Sequence, residues 1–286
     1  MTTREVFDEK VENGLIVSGT YLPEELLAEI LCYVDYSSLS KCRLVCKRWK
    51  DLTETYVWRK KAEISLGRSL LFRTEVPWYF YYLICVKKPF ERNLIKNHSG
   101  EEGTESHWDT VTQGENWKVE NPPIGVPLLP NNEPVLEGKQ YCFVTSFRLC
   151  IKRQVIRLEE EGLLPCILDE LQPPIVVSEW YSCRWDCPAK FKCTVTLIGE
   201  NNTIMEFFNF NENIEGEKQN QWHYVSHEFK NYGPGLREIA FCHGGMDQSF
   251  WAGHYGSKMA GACVYVKIPI TKPSKGDIGT MSLDLD

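Results

Sequence analysis

A short stretch near the N-terminus, from Tyr21 to Trp49, carries more helical apolar surface than a segment of this size can bury by itself. Pro23 suits the first position of a helix, since its missing N–H has no intrahelical partner there. Glu24 and Glu25 favour the positive end of the helix dipole. Apolar residues then recur at spacings of three and four, which predicts one broad stripe made of Leu26, Leu27, Ile30, Leu31 and Val34.

A second helical stripe follows directly. It comprises Leu39, Cys42, Val45, Cys46 and Trp49, with Ser37 and Ser38 as candidate N-caps. Two or three helices of this size bury too little surface to fold alone, so part of the stripe should face something else. The residues themselves leave two alternatives open: the stripe packs on the rest of this chain, or it binds another protein.

Composition restricts the class of protein. The chain has 286 residues, a length typical of two domains, and its 43% hydrophobic and 25% charged residues are ordinary for a globular protein. A net charge of −7 argues against a general nucleic-acid surface, and no apolar run is long enough for a membrane span. The first residues do not form a signal peptide, so we expect a protein of the cytosol or nucleus whose 12 cysteines are reduced.

Clustered cysteines and histidines raise the question of a metal site. Cys183-x3-Cys187-x5-Cys193 and His223-x3-His227 lack the paired spacing of zinc modules, and two residues four apart on one strand are about 13 Å apart. The sequence also contains no nucleophile elbow, phosphate-binding glycine loop or zinc-protease helix. We therefore expect no metal, no cofactor and no enzymatic activity.

The N-terminal motif is Leu22-Pro23-x2-Leu26-Leu27-x2-Ile30-Leu31, then Leu39, then Arg43-x-Val45-Cys46-x2-Trp49. It resembles the F-box, the helical module that docks F-box proteins onto the Skp adaptor of Skp–cullin–F-box ubiquitin ligases. The resemblance covers residues 20 to 60. It implies that the adaptor contacts six residues, namely Leu22, Pro23, Leu26, Leu27, Ile30 and Leu31. Val45 and Trp49 are expected to hold the three helices together instead.

Beyond Pro89 the pattern changes to short strands with a period of two. Phe191, Cys193, Val195 and Leu197 alternate with polar residues, and Asn201-Asn202 predicts a hairpin turn after them. Further strands are predicted at residues 175–177, 222–229, 236–241 and 263–268. Residues 78–84, which are rich in aromatics, are predicted as a buried helix or strand, and residues 116–138 as a long loop. Seven or more short strands indicate a β-sandwich or jelly roll of about 180 residues.

Several sequence blocks follow one another through this region. They include Pro89-Phe90-x-Arg92-Asn93, Gly114-x2-Trp117, Glu179-Trp180-Tyr181, His243-Gly244-Gly245-x-Asp247 and Trp251-x-Gly253-x-Tyr255-Gly256. In this order they resemble the F-box-associated domain of the sugar-recognising F-box proteins. The resemblance implies an antiparallel β-sandwich of the jelly-roll, galactose-binding-like type. Its sugar-binding members hold the inner chitobiose of high-mannose N-glycans in loops at one end.

A sugar ring is apolar on its C–H faces and polar at its rim, so its site needs aromatic side chains and a few donors and acceptors. The resemblance implies that the glycan-binding residues are Phe147, Phe250, Trp251 and Ala252. Three positions depart from the sugar-binding pattern: Leu149 replaces a Trp, Ala252 stands where some binders have Lys, and His254 replaces an aromatic residue. An alternative interpretation leaves only Phe250 exposed, with Trp251 capping the core.

The sequence thus predicts an α+β protein with an N-terminal segment (1–18), an F-box (19–62), a helical linker (63–88), an F-box-associated β-sandwich (89–270) and a flexible tail (271–286). It is expected to be the cytoplasmic substrate-recognition subunit of a Skp–cullin–F-box ligase, selecting N-glycosylated proteins for ubiquitination in ER-associated degradation. Its expected partners are the Skp adaptor, through it the cullin core, and client glycoproteins, but not nucleic acid. The alternative keeps the adaptor role or is chaperone-like, and recognises protein surface with no glycan affinity.

Overall fold

The computed structural model describes residues 14–70, 76–114 and 116–269. Within them, the chain divides into two compact units between Lys88 and Pro89. The first unit is helical, whereas the second is built mainly from strands. The predicted tail 271–286 and most of the predicted N-terminal segment 1–18 lie outside the described residues.

The first unit begins with a short hairpin and continues with helices. Strands β1 (Ile16–Val17) and β2 (Thr20–Tyr21) pair antiparallel. The helices are α1 (Glu24–Tyr33), α2 (Tyr36–Cys42), α3 (Lys47–Leu52), α4 (Trp58–Leu66) and α5 (Trp78–Val86), with a π-helical turn at Thr53–Val57. The aromatic residues 78–84 therefore belong to a helix and not to a strand.

The ends of α1 and α2 are fixed by side chains. Asp35, rather than either of the predicted serines, is the N-cap of α2, and its carboxylate accepts a hydrogen bond from the backbone N–H of Ser38 at 2.9 Å. Hydrogen bonds from Ser38 hold the pKa of Asp35 below its ordinary value. At the end of α1, Lys61 Nζ donates to the carbonyl oxygens of Cys32 (2.8 Å) and Val34 (2.7 Å). A cation thus satisfies carbonyl groups that the helix itself leaves unpaired.

The core of this unit takes buried residues from α1, α2, α4 and α5. Trp58 of α4 is fully buried, and its ring packs edge-on against Tyr82 of α5 with 5.1 Å between centroids. Leu27 and Leu31 of α1 and Leu39 of α2 are buried in the same unit. Burial of each such side chain contributes about 2 kcal/mol of transfer free energy. Part of the apolar stripe therefore stabilises the helical unit itself.

The second unit is an antiparallel β-sandwich, as the sequence predicts. Its strands are β3 (Asp109–Thr112), β4 (Lys118–Glu120), β5 (Cys142–Val144), β6 (Cys150–Arg157), β7 (Ile175–Ser182), β8 (Ala189–Gly199), β9 (Ile204–Ile214), β10 (His223–Phe229), β11 (Leu236–Asp247) and β12 (Lys258–Val266). One sheet has the order β10–β7–β12–β5–β4, and the other β3–β6–β11–β8–β9. Helix α6 (Pro165–Leu171) lies between β6 and β7 in the chain.

The two sheets pack face to face through aromatic side chains. Tyr181 of β7 stacks on Phe191 of β8 with 4.3 Å between ring centroids. Strand β8 alternates between buried and half-exposed residues along its length, which confirms the predicted period of two. The predicted hairpin is also confirmed, since Asn201 (φ 56°) and Asn202 (φ 60°) make the turn between β8 and β9. The predicted long loop is wrong in part, because residues 116–138 include β4, which pairs with β5.

A lysine is buried in the core of the sandwich. Lys152 of β6 is fully buried, and its Nζ donates a hydrogen bond to the carbonyl oxygen of Thr104 at 2.7 Å. The same Nζ lies 3.9 Å from the ring centre of Phe143 and 4.2 Å from that of Trp117. Burial lowers the pKa of Lys152 to about 7, because a charge is costly in apolar surroundings.

Replacing Lys152 with Met should remove a pH dependence of stability. The unfolded chain keeps a lysine pKa of about 10.4, so above pH 7 the unfolded state binds more protons than the folded state, and the stability of the wild type rises with pH. The free energy of unfolding of the wild type, relative to Lys152→Met, should increase by about 1 kcal/mol from pH 7 to pH 8. Urea unfolding at both pH values measures this; a constant difference would mean that Lys152 stays charged.

Candidate functional site

Four loops meet at one end of the sandwich, which we call the loop end: residues 121–126, 145–149, 183–188 and 248–257. Backbone hydrogen bonds tie these loops and the adjoining strand ends together. They run from Asp247 N to Ser146 O (3.0 Å), from Gln248 N to Pro188 O (2.9 Å), from Gly256 N to Thr145 O (3.0 Å) and from Trp185 N to Gly125 O (3.2 Å). Because main-chain atoms make these bonds, truncation of an exposed side chain leaves them in place.

The aromatic loop (residues 248–257, between β11 and β12) exposes two adjacent rings. Phe250 is 70% exposed and Trp251 is 43% exposed, so Trp251 does not simply cap the core. The buried Asp247 accepts hydrogen bonds through Oδ1 from the backbone N–H groups of Ser249 (2.9 Å) and Phe250 (2.5 Å). Phe250 has a φ of 55°, which is unusual for a bulky residue, and the bonds to Asp247 hold it there. The loop therefore presents Phe250 in a fixed position.

Trp251 packs on Tyr255, which a residue of a second loop supports. Its ring makes an edge-to-face contact with Tyr255, with 5.5 Å between centroids. The guanidinium of Arg184 lies 5.0 Å from the ring centre of Tyr255 and is itself held by two hydrogen bonds to Asp186, at 2.8 and 2.7 Å. The hydrogen bond from Arg184 holds the pKa of Asp186 below its ordinary value. Sequence reasoning missed the support from Arg184, because its contact with Tyr255 joins two loops that are far apart in the chain.

Phe147 and Ala252 lie at the same loop end. Phe147 is half-buried, and the guanidinium of Arg148 lies 5.6 Å from its ring centre. The carbonyl oxygen of its neighbour Ser146 accepts a hydrogen bond from the backbone N–H of Asp247, the residue directly before the aromatic loop. Ala252 is exposed and has no side-chain donor. The structure thus brings the four sequence-predicted residues to one end of the sandwich.

Leu149 and His254, which depart from the sugar-binding pattern, belong to the same two loops as Phe147 and Phe250. Leu149 is half-buried in the same loop as Phe147. His254 is also half-buried, and its Nε2 has no hydrogen-bond partner in the described part of the chain. Burial lowers the pKa of His254, which favours the neutral imidazole. His254 therefore adds no positive charge to the loop end near neutral pH.

A buried ion pair lies beneath the loop end. Lys258 Nζ and Glu120 Oε2 are 2.5 Å apart, and both side chains are almost fully buried. The same carboxylate oxygen accepts a hydrogen bond from the backbone N–H of Ile124 at 2.8 Å, which ties loop 121–126 to the sheet. Gly256 lies so close to Thr145 that a Cβ at this position would be 2.2 Å from its Oγ1. The Lys258–Glu120 pair and the close contact between Gly256 and Thr145 therefore support the loops from within the sandwich.

The six residues predicted to contact the adaptor fall on two faces of the helical unit. Leu27 and Leu31 are each 2% exposed, so they pack among the helices and are not available to a partner; this corrects the prediction for these two residues. Leu26 and Ile30 are 49% and 44% exposed, because they lie on the other side of α1. We call the part that remains accessible the docking face: Leu22, Pro23, Leu26 and Ile30.

The expectation that Val45 and Trp49 hold the helices together is only partly right. Trp49 is half-buried, and its Nε1 donates a hydrogen bond to the carbonyl oxygen of Gly14 at 2.5 Å, which ties the N-terminal hairpin to α3. Val45 is exposed in the turn between α2 and α3 and contributes little to the core. The helical spacing of the motif does not distinguish the two, since the helix breaks between them.

The histidines that suggested a metal site have other roles. His223 shares a 2.7 Å hydrogen bond with the carbonyl oxygen of Lys218, and His227 stacks on Phe208 with 4.6 Å between centroids. In residues 14–70, 76–114 and 116–269, no three His, Cys, Asp or Glu side chains are grouped so as to hold a metal ion. Among the helices of those residues, none combines the length and apolar character needed to cross a bilayer.

A small helical unit with an exposed apolar face, followed by a sandwich with exposed aromatic rings at one end, defines a two-part binding protein. Known families match both parts: the F-box-like family over residues 20–63, and the F-box associated region over residues 85–266. The chain therefore belongs to the F-box proteins that carry an F-box associated region. The F-box implies binding to a Skp adaptor.

Relatives of this family match along most of the chain. It is 34% identical to F-box only protein 6 of Rattus norvegicus over 259 residues, which cover 88% of this chain and 87% of that protein. It is 35% identical to F-box only protein 2 of Bos taurus (86% and 83% covered) and 34% identical to F-box only protein 44 of Homo sapiens (87% and 96% covered). The solved structure of TmCBM61 in complex with beta-1,4-galactotriose has a TM-score of 0.37 at 12% identity, covering 62% of this chain and 99% of that chain. So distant a similarity indicates no ligand for this chain.

Proposed function

We propose that this protein is a cytoplasmic substrate-recognition subunit of a Skp–cullin–F-box ubiquitin ligase, and that it selects N-glycosylated proteins by the chitobiose core of high-mannose glycans in ER-associated degradation. The observation that carries the proposal is the exposure of Phe250 and Trp251 at the loop end that also contains Phe147, on a backbone that Asp247 holds in place. A loop whose backbone is already held by hydrogen bonds has little backbone entropy to lose on binding.

The chemistry of the loop end fits the inner sugars of an N-glycan. The C–H face of a pyranose packs on an aromatic ring, and Phe250 offers such a ring with most of its surface free. Acetamido and hydroxyl groups need polar partners, a role that we assign to backbone groups of the neighbouring loops. Phe147 and Trp251 then contact further parts of the disaccharide.

The helical unit has a different task in this proposal. Leu26 and Ile30 of the docking face are about half exposed on a helix, an arrangement suited to packing against an apolar surface of the adaptor. No chemical step is assigned to the protein. Holding the client near the ubiquitin-charged enzyme raises the effective concentration of the client at the reaction, which is how such a receptor acts.

A second candidate function is recognition of protein surface without glycan. It is favoured by Ala252, which is exposed where a donor side chain would contact a sugar, and by Leu149, which replaces an aromatic ring next to Phe147. Each lost aromatic or hydrogen-bonding contact costs about 1–2 kcal/mol of binding free energy, or about tenfold in affinity.

Retention of a high-mannose glycoprotein by the full chain separates the two candidates. The glycoprotein is denatured, because its innermost sugars otherwise lie against the folded surface, and it is compared with the same protein after enzymatic removal of the glycan. Glycan recognition predicts retention of the first sample and loss of the second. Equal retention of both samples favours the protein-surface function, and retention of neither contradicts the proposal.

A further inference from the structure

An exposed tryptophan lies at the loop end outside the proposed glycan contacts. Trp185, in the loop between β7 and β8, is 64% exposed. Its backbone is nevertheless held on both sides: its N–H donates to the carbonyl oxygen of Gly125 at 3.2 Å, and its own carbonyl accepts from Gln219 Nε2 at 3.2 Å. A single exposed apolar side chain is common on protein surfaces, so the surroundings of Trp185 decide whether it marks a binding site.

Trp185 has an apolar neighbour on the adjoining loop. Ile124 is exposed and precedes Gly125, the residue whose carbonyl binds the backbone of Trp185. The backbone N–H of Ile124 is held by Glu120, which is paired with the buried Lys258. We call the surface formed by Ile124 and Trp185 the Trp185 patch. Both of its residues stand on backbone that is anchored to the sandwich.

The Trp185 patch is continuous with the aromatic loop. Arg184 precedes Trp185, and its guanidinium lies over the ring of Tyr255, which in turn contacts Trp251. Gly125 packs against the same arginine, since a Cβ on Gly125 would lie 2.9 Å from Nη1 of Arg184. A ligand that covers Trp251 therefore reaches the Trp185 patch across Arg184.

Polar side chains next to the patch are engaged within the protein. Arg184 and Asp186 form a bidentate pair. Gln219 Nε2 donates to two backbone carbonyls, and its Oε1 accepts a hydrogen bond from the backbone N–H of Gly216. Lys218 is paired with Glu212. A further sugar would need free polar groups around the ring, whereas an apolar side chain of a polypeptide needs only the exposed ring and Ile124.

We propose that the Trp185 patch binds an apolar side chain of the client polypeptide close to its glycosylated asparagine. The inference rests on the proposed glycan recognition, because the glycan at the aromatic loop brings that segment of the client to the patch. Two linked contacts of modest strength then act together, since the second one forms at a high effective concentration.

The test compares three ligands on the full-length protein. They are a free high-mannose glycan, a glycopeptide carrying that glycan with Leu and Phe on both sides of the asparagine, and the same glycopeptide with Gly and Ser there. We expect the wild type to bind the apolar glycopeptide about tenfold more tightly than the other two ligands. Trp185→Ala should abolish this preference and leave the affinity for the free glycan unchanged.

A matched control is available on the same domain. Phe207 on the edge strand β9 is also 64% exposed, and Phe207→Ala should change none of the three affinities. Equal binding of both glycopeptides by the wild type would overturn the inference while leaving glycan recognition intact. Loss of free-glycan affinity in Trp185→Ala would also overturn it, by making Trp185 a sugar contact. Failure of the wild type to bind any of the three ligands would contradict the proposed function itself.

Discussion

Phe250→Ala lowers the affinity for chitobiose-bearing glycoproteins by about thirtyfold, while the free energy of unfolding falls by less than about 1 kcal/mol. The large effect on binding is expected because truncation of an aromatic contact at the centre of a site costs about 2 kcal/mol or more. The small effect on stability follows from exposure: most of the Phe250 ring is in solvent, and its backbone is held by Asp247, which the substitution leaves in place. Titration with the denatured glycoprotein and urea unfolding measure the two quantities.

Two further variants make this result specific. Phe250→Tyr retains the ring and should retain most of the affinity. Phe207→Ala removes a ring of similar exposure from β9 and should leave the affinity unchanged. If Phe250→Ala binds the glycoprotein as well as the wild type does, the aromatic loop is not a glycan site. Trp251→Ala is a less specific variant, since Trp251 also packs on Tyr255 within the loop.

Leu26→Asp combined with Ile30→Asp abolishes binding to the Skp adaptor and leaves the protein folded. Both side chains are about half exposed in the free chain, so the two carboxylates stay hydrated when no partner is present. In a complex that buries the docking face, they would be desolvated without counter-charges, which costs several kcal/mol. Co-purification with the adaptor measures binding, and circular dichroism with thermal melting measures the integrity of the helices.

The choice of residues decides whether this experiment can be interpreted. The sequence motif equally suggests Leu31, but Leu31 is buried, and Leu31→Asp would unfold the helical unit whether or not an adaptor binds. Val111→Asp, at an exposed position of β3 in the other unit, controls for the addition of charge and should bind the adaptor normally. Wild-type adaptor binding by the double variant would place the docking face elsewhere.

Local periodicity accounts for what could be predicted about the fold. The three- and four-residue spacing from Leu26 to Val34 predicts a helix, and the alternation from Phe191 to Leu197 predicts a strand with one buried face. Asn201-Asn202 predicts the turn after that strand, because Asn tolerates positive φ. In each case the relevant interaction lies within one turn of helix or between neighbouring residues of a strand.

The predictions that were wrong concern features that local periodicity does not determine. Asp35 caps α2 in place of the predicted serines, since the exact residue at which a helix starts depends on how the preceding chain enters it. Strand β4 was not predicted, because three residues are too few to show an alternation of apolar and polar side chains. Its extended conformation depends on pairing with β5. Val45 is exposed because the chain breaks its helix at that point, which helical spacing does not show.

The sequence by itself determined the class of this protein: a helical F-box, an antiparallel sandwich and a loop with two adjacent aromatics at Phe250-Trp251. These features depend on residue order and short-range spacing, which a single chain displays directly. Only the tertiary structure decided which half of the α1 stripe is buried, that Trp251 packs on Tyr255 and Tyr255 on Arg184, and that Trp185 lies at the same end. The physical reason is that solvent exposure and contacts between loops arise from packing between separate elements of the chain, as in the bonds that join Thr145 to Ser257. The spacing of residues along the sequence does not predict such contacts.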